Sequence, residues 1–355
     1  MLIFYDVEVK KSFDLSDIER KGMTDRIPPS RLWKGQDLML RLLLFGRQVY
    51  LKYSMDEMSV YAAQASFFII MAAFLNFLGA MYSTGVAKTI GADIVKSAQH
   101  VDEHVIIAAL IGAVVWNLIT WWFAVPSSSS HALVGGVIGA VLVSVGSDGL
   151  NFYGIGKIVL SLIASPIIAI VTGCLVMTVL FRIFGRFSPS AINGKFKKMQ
   201  ILSAAMMAFS HGSNDAQKSM GIITLALLSG GYIDVFEVPT YVKVLAATAM
   251  ACGTAVGGWR IIKTIGGKIF KLEPISGFAA DLNSSMVIFS ATLLHLPVST
   301  THVVSGSIMG VGTAKRVNAV RWGVAQQMVT AWVLTIPCTA VMGAVAYQFV
   351  LWIFK

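Results

Sequence analysis

Polar positions are scarce along most of this chain, and they are unevenly placed. From about residue 58 onward, apolar runs follow one another at roughly 60–87, 104–124, 132–147, 155–181, 201–230, 242–258, 277–296, 303–314 and 324–354. The runs are rich in Gly and other small residues and lack the ten-residue alternation of an outer-membrane barrel, so they predict helices packed closely in lipid. Two runs are unusual. Val303 to Ala314 falls short of the ~20 residues that cross a bilayer, and 132–147 carries Gly135, Gly136, Gly139 and Gly146. Short, Gly-interrupted segments at corresponding places in two halves of a chain mark the binding site of a transporter.

Residues 1–57 break the pattern. They hold Asp6, Glu8, Asp14, Asp17, Glu19, Asp25, Asp37, Asp56 and Glu57, half of the 18 acids in the chain, and their apolar burst from Leu38 to Phe45 is cut by Arg41. This stretch reads as a charged, non-spanning N-terminal segment. The remainder divides into a first transmembrane repeat at 58–181, incomplete, a basic cytoplasmic linker at 182–200, and a second transmembrane repeat at 201–355. Arg182, Arg186, Lys195, Lys197 and Lys198 place the linker inside by the positive-inside rule. The acidic loop at Asp234 and Glu237 falls outside, and the basic loop from Arg260 to Lys271 falls inside again.

Composition sharpens the class. The 355 residues are 56% hydrophobic and 13% charged, with mean hydropathy +0.73, against roughly 25% charged in a soluble domain. The net charge of +10 sits in loops and reads as a topology signal, so nucleic acid is not an expected partner. Cys174, Cys252 and Cys338 are scattered in or beside apolar runs, which argues against a disulfide framework or a zinc site. The N-terminus shows no cleavable signal peptide.

The chain also repeats itself. Pro126-Ser127-Ser128-Ser129-Ser130-His131, followed by Gly135 and Gly139, returns as Pro297-Val298-Ser299-Thr300-Thr301-His302, followed by Gly306 and Gly310. Lys88-Thr89-Ile90-Gly91 returns as Lys263-Thr264-Ile265-Gly266 in nearly the same register. An odd number of crossings separates the two hydroxyl-rich phrases, so they enter from opposite faces. The expected architecture is an all-α polytopic membrane protein with inverted-topology repeats and two re-entrant helical hairpins whose tips meet near the midplane.

A run of hydroxyls that opens a helix combines free N–H donors, a partial positive charge and side chains that donate or accept, which suits a small oxyanion. Ser127, Ser128, Ser129, Ser130, Ser299, Thr300 and Thr301 are therefore candidate anion ligands, with His131 and His302 supporting. A single such phrase would read as a helix cap; its duplication favours a site. A second constellation runs from Ser210 to Ser219 inside a span. Intramembrane ionisable residues are costly and mark function. Asn214, Asp215 and Gln217, together with Asn283, are candidates for a coupling ion, either Na⁺ on hard oxygen ligands or a proton on Asp215. Lys218, three residues after Asp215, would neutralise it. Asp281 is a supporting candidate. Asn76 and Asn117 read as interhelical hydrogen-bond groups, and Trp121 as an interfacial residue.

These residues resemble the inorganic phosphate transporter family of cation-coupled permeases. Ser210-His211-Gly212-Ser213-Asn214-Asp215-Ala216-Gln217-Lys218 is similar to the family's second Asn-Asp signature in its prokaryotic form, and Asn76-Phe77-Leu78-Gly79-Ala80 and both Pro-x-Ser phrases match as well. The resemblance implies a multi-pass protein of the cell membrane that imports inorganic phosphate by symport with Na⁺ or H⁺. It implies no other cofactor and no enzyme activity, a homodimer and a PhoU-like accessory protein as partners, and phosphate held by the two hairpin tips. The family carries such a signature in each repeat, whereas Arg41 to Glu57 stands in the first place without one, so the first transmembrane segment is missing or replaced. The alternative function is a non-transporting phosphate-binding membrane protein of the same fold, or a transporter of a related oxyanion.

Overall fold

The computed structural model describes residues 55–98, 101–256 and 259–354; the N-terminal segment up to residue 54 lies outside them. Eleven α-helices are described. In chain order they are α1 (Met55–Tyr82), α2 (Gly85–Ala92), α3 (Glu103–Trp122), α4 (Ser129–Ser144), α5 (Phe152–Phe184), α6 (Pro189–Ser229), α7 (Thr240–Val256), α8 (Trp259–Lys268), α9 (Pro274–Leu293), α10 (Thr300–Lys315) and α11 (Trp322–Ile353). Among the described residues α3, α5 and α11 are long and apolar enough to cross a membrane, and α1 with α2 forms a fourth such unit if a 69° bend is allowed.

Several boundaries differ from those expected. The run at 60–87 is not one straight helix, because the chain breaks after Tyr82 and turns into α2. The linker at 182–200 is largely helical: α5 continues to Phe184 and α6 begins at Pro189, making one helix of 41 residues. The basic stretch after residue 258, expected as a loop, contains α8. The short run at 303–314 is part of a 16-residue helix, because hydroxyl residues rather than apolar ones supply its first turn.

The duplication extends to helix lengths and caps. Helices α3 and α9 are both 20 residues long, α4 and α10 both 16, and the long helices α5 and α11 each contain one internal proline, Pro166 and Pro337. Each 20-residue helix leaves through a left-handed residue that is not glycine, Ala124 (φ 54°) in one copy and His295 (φ 58°) in the other. An L residue there costs roughly 1 kcal/mol, and matched hydrogen bonds hold it: Val125 N to Thr120 O at 2.9 Å, Leu296 N to Ala291 O at 2.8 Å.

Each copy packs on the other as well as on itself. Helix α4 packs on α11 and α3, and α10 packs on α5 and α9. The approach is close enough that glycine is required: a Cβ on Gly139 would lie 1.8 Å from the Ala340 carbonyl oxygen, and one on Gly310 would lie 2.1 Å from that of Ile170. The repeated Lys-Thr-Ile-Gly phrase has the same exchanged role. Thr89 Oγ1 donates to the His295 carbonyl at 2.8 Å, and Thr264 Oγ1 donates to the Ala124 carbonyl at 3.2 Å, so each threonine holds the left-handed residue of the other copy. Outward, Leu160, Ile167, Val171 and Leu175 on α5 are more than half exposed, while serines, threonines and asparagines turn inward. That is the inside-out polarity of a protein solvated by lipid.

Candidate functional site

The site forms where the two hairpin tips meet α6. Each hydroxyl-rich phrase folds into an extended tip followed by a helix N-terminus, and the same position caps both helices. Ser128 Oγ accepts from His131 N at 3.1 Å, and Ser299 Oγ accepts from His302 N at 3.3 Å. The proline carbonyls that begin the tips are held from the opposite copy: Ser161 Oγ donates to Pro297 O at 2.7 Å and Trp332 Nε1 donates to Pro126 O at 3.3 Å. Behind the tips the His131 and His302 rings lie 4.7 Å apart, and His302 stacks on Trp332 at 3.9 Å. His131 Nδ1 meets Ser128 Oγ at 2.7 Å, whereas the buried Nε2 of His302 has no hydrogen-bond partner among the described residues.

Helix α6 delivers its polar motif to the same place. Asn214 is fully buried and ties α6 to the second tip: its Nδ2 donates to Thr292 Oγ1 (3.1 Å) and to the Leu296 carbonyl (3.3 Å), and its Oδ1 accepts from Val298 N (3.3 Å). Asp215 Oδ2 accepts from Thr300 Oγ1 at 3.0 Å and faces His211 Nε2 at 3.3 Å, while Oδ1 pairs with the Lys218 ammonium. Lys218 Nζ also donates to Ser130 Oγ and to the Val298 carbonyl, both at 2.6 Å, and Ser130 Oγ donates to that same carbonyl at 3.1 Å. Both tips and α6 are thus joined around one buried ammonium.

In front of this cluster lies a cavity of about 280 Å³, near the small end of ligand-pocket sizes. Ser127, Ser129, Thr300 and Thr301 line it from the tips, His211 and Asp215 from α6, and Asn117, Thr120 and Trp121 from α3. Two helix N-termini open beside it, and apart from the capped groups of His131 and His302 their first-turn N–H groups have no intrahelical acceptor. A small anion entering the cavity would meet hydroxyls and backbone donors, with Asp215, the one carboxylate among the described residues that line it, already paired with Lys218 and Thr300.

The candidates sort by position. Ser127, Ser129, Thr300, Thr301 and Asp215 line the cavity; Ser130, Lys218 and Asn214 stand directly behind it; Ser128 and Ser299 serve as caps. Gln217 points elsewhere. Its Oε1 accepts from Val86 N (2.8 Å) and Ala87 N (3.2 Å), supplying from a distant helix the cap that α2 lacks. Asn76 Oδ1 bonds His211 Nδ1 at 2.7 Å. Asn283 lies away from the cavity, donating to Ala169 O (2.9 Å) and Ser307 Oγ (2.7 Å) between α9, α5 and α10. Asp281 is buried on α9, which packs against α6, and does not line the cavity. Asn117 and Trp121 line the cavity instead of acting as interhelical glue and belt residue; with Thr120 they share a face of α3 at i, i+3, i+4 spacing, a signal present in the sequence. Ser161 and Trp332 gave no such signal.

A sequence model of the phosphate transporter family matches residues 59–343. The chain belongs to the phosphate transporter family. Within that family it is 50% identical over 281 residues to a probable low-affinity inorganic phosphate transporter of Bacillus subtilis (strain 168), covering 79% of this chain and 84% of the relative. It is 44% identical over 281 residues to the protein of the same description from Rhizobium meliloti (strain 1021), with the same shares of both chains. Among solved structures it resembles a sodium-dependent phosphate transporter, with TM-score 0.72 and 27% identity, covering 80% of this chain and 90% of that one. Family and fold together make this phosphate transporter family member a multi-pass membrane protein.

Proposed function

We propose that this chain is a secondary active transporter that imports inorganic phosphate across the cell membrane by cation-coupled symport. Phosphate transport follows the family and the descriptions of its relatives. The observation that carries the site is the convergence of two hydroxyl-bearing helix N-termini on one cavity whose wall contains Asp215. Phosphate would lie between Ser127 and Ser129 of one tip and Thr300 and Thr301 of the other, taking donors from both helices. Among the described residues that line the cavity there is no Lys or Arg, which fits a ligand that has to leave as readily as it arrives.

The exchange of contacts between the repeats supports an inverted duplication, in which the tips approach from opposite faces and one rocks against the other around a fixed site. The test is uptake of labelled phosphate by liposomes containing the full chain, under imposed Na⁺ and proton gradients. Accumulation that depends on a gradient and falls at least tenfold in Thr300→Ala is expected. Phosphate binding with no accumulation under any gradient would instead identify a binding protein of the same fold.

A further inference from the structure

Lys218 sits where an ion-coupled transporter of this design would hold a metal cation. Its Nζ is enclosed by a carboxylate oxygen of Asp215, the hydroxyl of Ser130 and the carbonyl of Val298, and the side chain is 4% exposed. One carboxylate, one hydroxyl and one carbonyl from an unwound segment, drawn from three parts of the chain, make the oxygen set that a hard monovalent cation takes in transporters with broken helices. An ammonium has three N–H donors and no acceptor, and all three are used. The side chain therefore has nothing left to offer an anion in the cavity. A second cation placed among the same oxygens would have to displace it or face its charge at contact distance.

We propose that Lys218 determines ion specificity in this half of the site. It is a tethered cation that takes the place of sodium among Asp215, Ser130 and Val298, joins both hairpin tips in this conformation, and makes this position indifferent to sodium. Removing the ammonium while keeping Asp215 opens a sodium site at the same oxygens. This inference rests on the symporter reading above, with which it shares Asp215.

The full chain in detergent provides the first test. The unaltered chain is expected to melt at the same temperature in sodium chloride and in choline chloride of equal ionic strength. Lys218→Ala is expected to gain at least about 2 °C in the sodium salt, and the double variant Asp215→Asn/Lys218→Ala to lose that gain. Lys218→Gln carries the same comparison should Lys218→Ala fail to fold. In liposomes, replacing sodium by choline should leave phosphate uptake by the unaltered chain unchanged, whereas uptake by the Lys218 variants should rise at least tenfold with sodium. Lack of a sodium-specific response in both Lys218 variants overturns the proposal, as does a sodium-specific response of the unaltered chain that these variants abolish. No phosphate uptake under any condition, with the sodium-specific melting gain of Lys218→Ala present, would refute the symporter reading and uphold the ion assignment.

Discussion

Asn76 Oδ1 lies 2.7 Å from His211 Nδ1 across the α1–α6 contact, and that bond dictates how the histidine meets Asp215. The Asn76 amide nitrogen donates to the Ala72 carbonyl at 2.8 Å, which fixes its oxygen toward the ring. Nδ1 is therefore the donor, and the 3.3 Å contact between Nε2 and Asp215 Oδ2 closes as a hydrogen bond only with a further proton on the ring or the carboxyl. His211→Gln removes the ring that joins Asn76 to Asp215 and is expected to lower phosphate uptake several-fold. Asn76→Leu, which frees the ring, should lower uptake several-fold. Uptake by His211→Gln equal to that of the unaltered chain would exclude a part for the Asn76–His211 bond in transport.

The two roles of the tip hydroxyls separate cleanly by substitution. Thr300→Ala and Ser129→Ala are expected to weaken phosphate binding by isothermal titration while leaving the melting temperature nearly unchanged. Ser299→Ala and Ser128→Ala remove helix caps and should cost about 1 kcal/mol of stability, read as a melting shift, with a smaller effect on affinity.

Glycines at the exchanged contacts should tolerate nothing larger. Gly139→Ala and Gly310→Ala drive a methyl into a facing carbonyl oxygen and are expected to destabilise by about 1–3 kcal/mol or more. Gly156→Ala is the control: it sits in α5 with open space around the added carbon, and should be neutral or stabilising by up to about 1 kcal/mol. Thermal melts of the three proteins in one detergent decide this.

Gln217→Ala leaves the Val86 and Ala87 N–H groups without their acceptor, a loss of about 1–3 kcal/mol for buried donors. The expected signature is a lower melting temperature with unchanged cation response. A cation response lost with stability intact would return Gln217 to the ion site.

Much of this arrangement is legible in the chain itself because the duplication writes each rule twice. The paired Pro-x-Ser phrases foretell two helix N-termini, and both are there; the spacing to Gly139 and Gly310 is the spacing at which α4 and α10 touch α11 and α5. Asp215 and Lys218 pair as their i, i+3 spacing demands. Contacts between copies could not be read, because a repeat shows likeness and not which partner each copy chooses. Gln217 stands one residue from Lys218 yet caps a helix more than a hundred residues away, and Asn283 resembles an ion ligand in sequence while binding helix backbone in space. The break after Tyr82 falls at Ser83-Thr84-Gly85, a short polar signal inside an apolar run, and a distant glutamine then satisfies the new helix start.

The carbonyls of Pro126 and Pro297 are secured by side chains of very different bulk, an indole in one case and a hydroxymethyl group in the other. The indole also covers His302, and the His131 ring lies against that same imidazole. The two tips are thus held against unequal walls. A single substitution at Trp332 therefore reaches both tips at once, the first through the Pro126 carbonyl and the second through the His302 ring.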